Sequence, residues 1–224
     1  MELRPRLADL LARAADAAPF SRQHYEELVA GMRLLGVGAA APSVGEAFPP
    51  FALPDAQGRY HDLPSLIAGG PMVLSFNRGG WCPFCRHELT AWNEYIPALA
   101  ERGARFVAIT GEVGGRAAQL KLLLEGDGEV LADVDHGVAL ASGLAFHLGA
   151  KLIERYQEIG LDLQALYGSR SGFLPVPATF VIDRAGIVRY AFVDADFRVR
   201  AEPEEVMVAV EALCADDIRP SARA

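Results

Sequence analysis

The chain has 224 residues, 51% of them hydrophobic and 22% charged, with a formal net charge of −8. That length is enough to bury a full core in a single domain, and the acidic balance excludes a basic footprint for nucleic acid or an anionic membrane surface. No apolar run is long enough to span a bilayer. Arg4, Arg6, Asp9, Arg13 and Asp16 interrupt the N-terminal stretch, so no signal-peptide core is expected and the cytoplasm is the default compartment.

In chain order, Leu3, Leu7, Leu10, Leu11 and Ala14 recur at spacings of three and four and predict an amphipathic helix over residues 3–18. Ser21 is placed to cap a second helix, with Phe20 and Tyr25 as its hydrophobic staple. Its apolar face runs through Leu28, Val29, Met32 and Leu35 to a stop at Gly36. Residues 36–50, rich in Gly, Ala and Pro, read as a linker. FALPDAQGRYHDL (51–63) reads as strand, turn and strand, and PMVLSF (71–76) as a buried strand. Glu88, Leu89, Trp92, Tyr95, Ile96 and Leu99 then form one helical stripe.

ARFVAIT (104–110) is a second buried strand, RAAQLKLLLE (116–125) a helix, and EVLADVD (129–135) a strand entering a turn. Residues 138–170 read as irregular helix, followed by a loop at 168–172. Residues 178–193 form a closing hairpin expected to supply edge strands. Pro203 opens a last helix with Val206, Val210 and Leu213 on one face. Strands alternating with helices predict an α/β fold around a partly parallel sheet. The expected organisation is a helical extension (1–38), one α/β domain (39–216) and a short tail (217–224).

The chemistry concentrates in RGGWCPFCRHEL, Arg78 to Leu89. Cys82 follows a buried strand and a Gly-Gly turn and stands where a helix begins, so free N–H groups and the helix dipole favour its thiolate. Arg78 and Arg86 add positive charge nearby. Cys85 lies one turn further on, within reach of a disulfide, and Pro83 stiffens the loop between them. A thiolate attacks a disulfide or a peroxide oxygen. A zinc site needs about four ligands, and beyond this pair only His87 and the distant Cys214 are on offer. Haem attachment requires His where Arg86 stands, and a purely structural disulfide runs against a reducing compartment. A redox pair with no metal and no cofactor is therefore expected. Trp81 covers Cys82 or packs in the core, His87 faces solvent, and Cys214 is a free thiol on an apolar helix face.

WCPFCR resembles the active site of thioredoxins, and CRHEL the segment carrying the peroxidatic cysteine of peroxiredoxins, in line with Cys85. FALPDAQGRYHDLPSL and VPATFVIDRAGIVRYAFVDADF are similar to the entry and closing hairpins of the alkyl hydroperoxide reductase/thiol-specific antioxidant superfamily. The chain resembles the peroxiredoxin-like subfamily with a GGWCPxC site. The resemblance implies a thioredoxin-like fold, with a central mixed sheet flanked by helices, and a thiol-dependent antioxidant enzyme recycled by thioredoxin or a similar dithiol. Its substrate would be a hydroperoxide or a protein disulfide, and a homodimer is left open as its assembly. The alternatives are a thiol-disulfide oxidoreductase and a redox sensor without turnover.

The departures are specific. Cys82 stands at the peroxiredoxin Thr position and Arg78 at the Pro position. Pro177 replaces the Arg before the closing strand and matches the cis-proline that faces the cysteine loop in thioredoxin-like reductases. Ser75 or Phe76 occupies the place of thioredoxin's buried acid, which leaves Glu88 as candidate proton acceptor or as a helix-dipole partner. Cys82, nearer the exposed end of its helix and Arg78, is expected to attack disulfides, with the deeper Cys85 resolving. Alignment with CRHEL is the one argument for Cys85 as the thiol that meets peroxide.

Overall fold

The computed structural model describes residues 2–17 and 19–218. Helices α1 (Leu3–Ala17) and α2 (Pro19–Leu34) come first. The second begins at Pro19, so Ser21 lies inside it instead of capping it, since proline's fixed φ and missing N–H suit a first helical position. The side chains of Ala14, Phe20 and Ser21 lie outside the described residues, as do residues 219–224 of the expected tail, whose first two residues belong to the last helix. Gly36, at φ +63°, ends α2, and the Val37 amide donates to the Met32 carbonyl at 3.0 Å.

Residues 36–50 are more than a linker. Phe48 is buried, its amide donates to the Gly186 carbonyl at 2.9 Å, and its ring meets Phe180 edge-on at 5.3 Å. Strands β1 (Ala52–Pro54) and β2 (Tyr60–Asp62) pair antiparallel, and the Asp62 carboxylate caps α3 (Leu63–Ile67). After β3 (Met72–Asn77) the expected single stripe is divided between α4 (Pro83–Trp92) and α5 (Ile96–Glu101). Pro97 explains the break, because it has no amide to continue α4 but fits the start of α5.

β4 (Arg105–Thr110), α6 (Arg116–Lys121) and β5 (Glu129–Ala132) follow. The segment expected as irregular helix contains α7 (Gly137–Ala141), β6 (Ala145–His147), α8 (Ala150–Glu158) and α9 (Leu163–Tyr167). β6 pairs with β7 (Phe173–Pro175), setting Phe146 opposite Leu174. Two three-residue strands far apart in sequence leave no period to read. The chain closes with β8 (Ala178–Ile182), β9 (Val188–Val193) and α10 (Pro203–Ile218).

The main sheet runs β5-β4-β3-β8-β9, with β3, β4 and β5 parallel and β8 and β9 added antiparallel. Of the closing hairpin only β9 is an edge; β8 lies inside, beside β3, and all five of its residues are buried. The alternation of β3 separates two cores. Met72, Leu74 and Phe76 pack with α3, α7 and Phe48, while Val73 packs with α4, α5, α6 and α10. Ser75 therefore shares the α4 face. A third cluster joins Leu3, Leu7 and Val29 to Phe84, Ala91 and Phe197, so the two N-terminal helices rest on α4. No helix among the described residues is long and apolar enough to cross a membrane.

Candidate active site

The loop from Asn77 to Cys82 leaves the carboxyl end of β3, where ligands and reactive groups collect in parallel sheets. Gly79 has φ +133°, and a Cβ there would meet the Glu112 carboxyl carbon at 2.4 Å. The same carboxylate accepts the Gly80 amide at 2.8 Å, and the Cys82 amide donates to the Gly79 carbonyl at 3.1 Å. Cys82 is the N-cap of α4, with Pro83 opening the helix, so its sulfur stands at the positive end of the dipole.

Both thiols are free and buried, Cys82 at 1% exposure and Cys85 at 0%. The expected difference in exposure is absent, because both belong to one buried cluster with Leu3, Leu7, Val29 and Phe197. Electrostatics distinguishes them instead. The Cys85 thiol, as hydrogen-bond partner, lowers Cys82 to about 6, and Arg78 and Arg200 add to this against the cost of burial. Burial and the neighbouring Cys82 push Cys85 well above an ordinary thiol.

Two buried guanidinium groups surround the pair. Arg78 donates to the Tyr156 hydroxyl at 2.7 Å and lies over the rings of Phe197 and Trp81, at 4.4 and 4.7 Å. Its carbonyl accepts the Tyr167 hydroxyl, which in turn accepts the Trp81 indole N–H at 2.7 Å. Arg200 donates Nε to Glu88 at 2.7 Å and reaches Cys85 Sγ at 3.5 Å. Its Nη1 is tied to the carbonyls of Phe197 and, at 2.9 Å, Val199. Glu88 is buried and also accepts the Ser75 hydroxyl at 2.9 Å. Burial holds this carboxyl at about 7 although Arg200 opposes it, and Cys85 adds to the rise. The ion pair is thus closed in geometry while its acid is poised to take or give a proton near neutrality.

The other candidates are distributed around this centre. Pro177 is buried just before β8, whose Ala178 pairs with Phe76, so it stands at the end of β3 that leads to the cysteines. The expected cis bond is not found: among the described residues every peptide bond is trans. Val176 donates to the Leu144 carbonyl at 2.8 Å, which carries the chain into Pro177 in the extended form that trans proline accepts at no cost. Arg86 is exposed and reaches the Gly80 carbonyl at 3.5 Å. His87 is half-buried, and its pKa is lowered by burial and by Arg6 and Arg86. Cys214 lies at the opposite end of the sheet, its thiol 3.6 Å from the Arg102 carbonyl. No group of three or more His, Cys, Asp or Glu among the described residues is placed to hold a metal ion.

Sequence reasoning missed Arg200, Glu112, Tyr156 and Tyr167. Arg200 lies 115 residues from Cys85. Its only local signal is the alternation Asp196, Arg198, Arg200 within an otherwise apolar segment.

Residues 44–191 match the AhpC/TSA family. A thiol:disulfide interchange protein DsbE of Tatumella citrea is 31% identical over 149 residues, which is 66% of this chain and 63% of that protein. The chain thus spans slightly less than two thirds of that relative. DsbE of Escherichia coli strain K12 is 26% identical over 165 residues, 73% of this chain and 71% of the other. Among solved structures, peroxidoxin BcpB from Mycobacterium tuberculosis has a TM-score of 0.59 at 22% identity, covering 80% of this chain and 99% of that one. At that identity the likeness concerns the fold, which is thioredoxin-like.

Proposed function

The chain belongs to the AhpC/TSA family, a family of thiol oxidoreductases, and from that membership we propose that it is a thiol peroxidase in which Cys82 attacks a hydroperoxide and Cys85 closes the disulfide. One observation carries this reading: a buried cysteine pair whose first thiol is driven toward the thiolate and whose second is held as the thiol. The Cys82 sulfur bonds to the terminal peroxide oxygen, the O–O bond breaks, and the alkoxide leaves with a proton from solvent. Cys82 is then a sulfenic acid.

Oxidation removes the negative charge that had kept Cys85 protonated. Cys85 passes its proton to Glu88, whose carboxyl is balanced near 7, while Arg200 faces the emerging thiolate at 3.5 Å. The Cys85 sulfur attacks Cys82, hydroxide leaves and is protonated, and a disulfide remains. A thioredoxin-type dithiol reduces it. We propose the cytoplasm as the compartment, since a pair that must return to the dithiol works where thiols are kept reduced.

The likeness to DsbE favours a second reading, exchange with disulfides, in which the same Cys82 thiolate forms a mixed disulfide. Peroxide consumption coupled to thioredoxin and thioredoxin reductase tests the first reading, with insulin reduction as the parallel assay. Turnover of insulin without turnover of peroxide would transfer the assignment to the second.

A further inference from the structure

Cys82 lies beneath a cover, and a cavity opens beside the loop that carries it, lined by its neighbour Trp81. The cover is the α1–α2 hairpin, whose Leu3, Leu7 and Val29 share a buried cluster with Cys82, Phe84 and Cys85. Two clasps hold it. The buried Glu202 carboxylate accepts the amides of Leu3 and, at 3.0 Å, Arg4 in the first turn of α1. Arg198 donates to Glu26 of α2 at 2.6 Å while held by Asp196 at 2.7 Å. Disulfide exchange needs the attacking and attacked sulfurs in contact, and a folded protein cannot bring a disulfide to a sulfur that is 1% exposed beneath this hairpin.

The cavity lies beside the cysteine loop and takes none of its walls from α1 or α2. Its volume is about 260 Å³, and Gly80, Trp81, Arg86, Glu112, Arg116 and Leu120 line it. Trp81 directly precedes Cys82, and Arg86 follows it by one helical turn. At about 30 Å³ per water, the space holds roughly nine waters, the size of a small organic molecule and not of a protein segment. Arg86 and Arg116 reach the carbonyls of Gly80 and Val113, at 3.5 and 3.0 Å, which leave both guanidinium charges uncompensated by these bonds. The Glu112 carboxyl on the same wall is bound to the Gly80 amide at 2.8 Å; burial raises its pKa, and the Gly80 amide and Arg116 oppose the rise.

We propose that this cavity is the oxidant subsite of the reduced enzyme, that it prefers a small organic hydroperoxide bearing a carboxylate, and that the α1–α2 hairpin excludes protein disulfides from Cys82. The inference rests on the peroxidase reading for its chemistry. The carboxylate sits against Arg116 and Arg86, the apolar chain against Leu120, and the terminal peroxide oxygen is delivered past Trp81 to the Cys82 sulfur. That sulfur gains the oxygen, the O–O bond breaks, and the product leaves as the alcohol. Recycling by a protein dithiol then requires the hairpin to lift.

Two measurements on the full chain test it. The first is alkylation of Cys82, read by mass, with iodoacetamide and with a polymer-tagged maleimide. The unmutated protein should react with the small reagent and resist the large one. The double variant Glu26→Ala/Glu202→Ala should gain at least about tenfold in the large reagent's rate, since opening governs access, and Leu7→Ala, which thins the cover but leaves both clasps, should gain in the same sense. The second is the ratio of kcat/KM for a short carboxylated alkyl hydroperoxide to that for tert-butyl hydroperoxide. Arg116→Gln should lower this ratio about tenfold, the scale of one charge-assisted hydrogen bond.

Equal labelling of unmutated Cys82 by both reagents overturns the exclusion, and an unchanged ratio in Arg116→Gln overturns the subsite. A protein that shields Cys82 but consumes no hydroperoxide overturns the peroxidase reading, a result the labelling experiment keeps separate.

Discussion

Replacing Arg200 with Met should make the protein lose stability, relative to the unmutated chain, as pH rises above neutrality. Arg200 and Glu88 form a buried pair at 2.7 Å, and burial holds the carboxyl at about 7 even with the guanidinium opposing it. Without Arg200 the carboxyl must move higher still. In the unfolded chain Glu88 ionises at its ordinary 4.5 in both proteins. An acid whose folded pKa is raised costs nothing below the unfolded value. It costs progressively more as pH climbs between the two values, and a constant amount above the folded one. For the unmutated chain the cost therefore levels off near pH 7, at ~3 kcal/mol. For the variant it keeps growing by about 1.4 kcal/mol per pH unit until its own higher pKa is passed. The two proteins should differ least near pH 6 and by up to ~3 kcal/mol more near pH 9. Urea unfolding across that range measures the difference. Arg200 also helps to lower Cys82, whose thiolate contributes in the same direction, so the comparison belongs in a Cys82→Ser background. Stability curves that stay parallel from acid to alkali in that background would refute the claim that Arg200 sets the Glu88 proton.

Three further outcomes are expected. Cys85→Ser should trap a mixed disulfide or a persistent sulfenic acid at Cys82, whereas sulfenic acid accumulating at Cys85 in Cys82→Ser as fast as the unmutated protein consumes peroxide would reverse the order of attack. The pH dependence of iodoacetamide labelling at Cys82 should have its midpoint near 6, and Arg78→Met should move it upward; a midpoint at the ordinary thiol value would show that Arg78 and Cys85 do not stabilise the thiolate. Gly79→Ala should slow peroxide turnover at least about tenfold, because a side chain at φ +133° is strained and would press on Glu112, and turnover equal to the unmutated protein would remove the loop's dependence on that glycine.

What could be read from the sequence follows from how far apart the cooperating residues lie. β3, β4 and β8 are short apolar runs, and their strand character is local. Their order is not local, which is why β8 was expected at an edge and was found beside β3. The cysteine motif placed Cys82 at a helix start because strand, glycine turn and helix stripe are contiguous. Glu88 was legible as a candidate but not as a buried acid, since the same residue type in the first turns of a helix also serves an exposed dipole. Its partners decided the matter: Ser75 from the face of β3 opposite Phe76, and Arg200 from the segment before α10.

The cover over the site was hidden for the same reason. Leu3, Leu7 and Val29 announce amphipathic helices, but an apolar stripe does not say what it will bury. The contact with Cys82 is fixed by Glu202 holding the first turn of α1 and by Arg198 holding Glu26, both reaching across nearly the whole chain. The polar segment from Asp196 to Glu202 thus supplies three things at once: one clasp for each N-terminal helix and the guanidinium beside Cys85. One short segment therefore anchors both the cover above the cysteines and the guanidinium that pairs with Glu88.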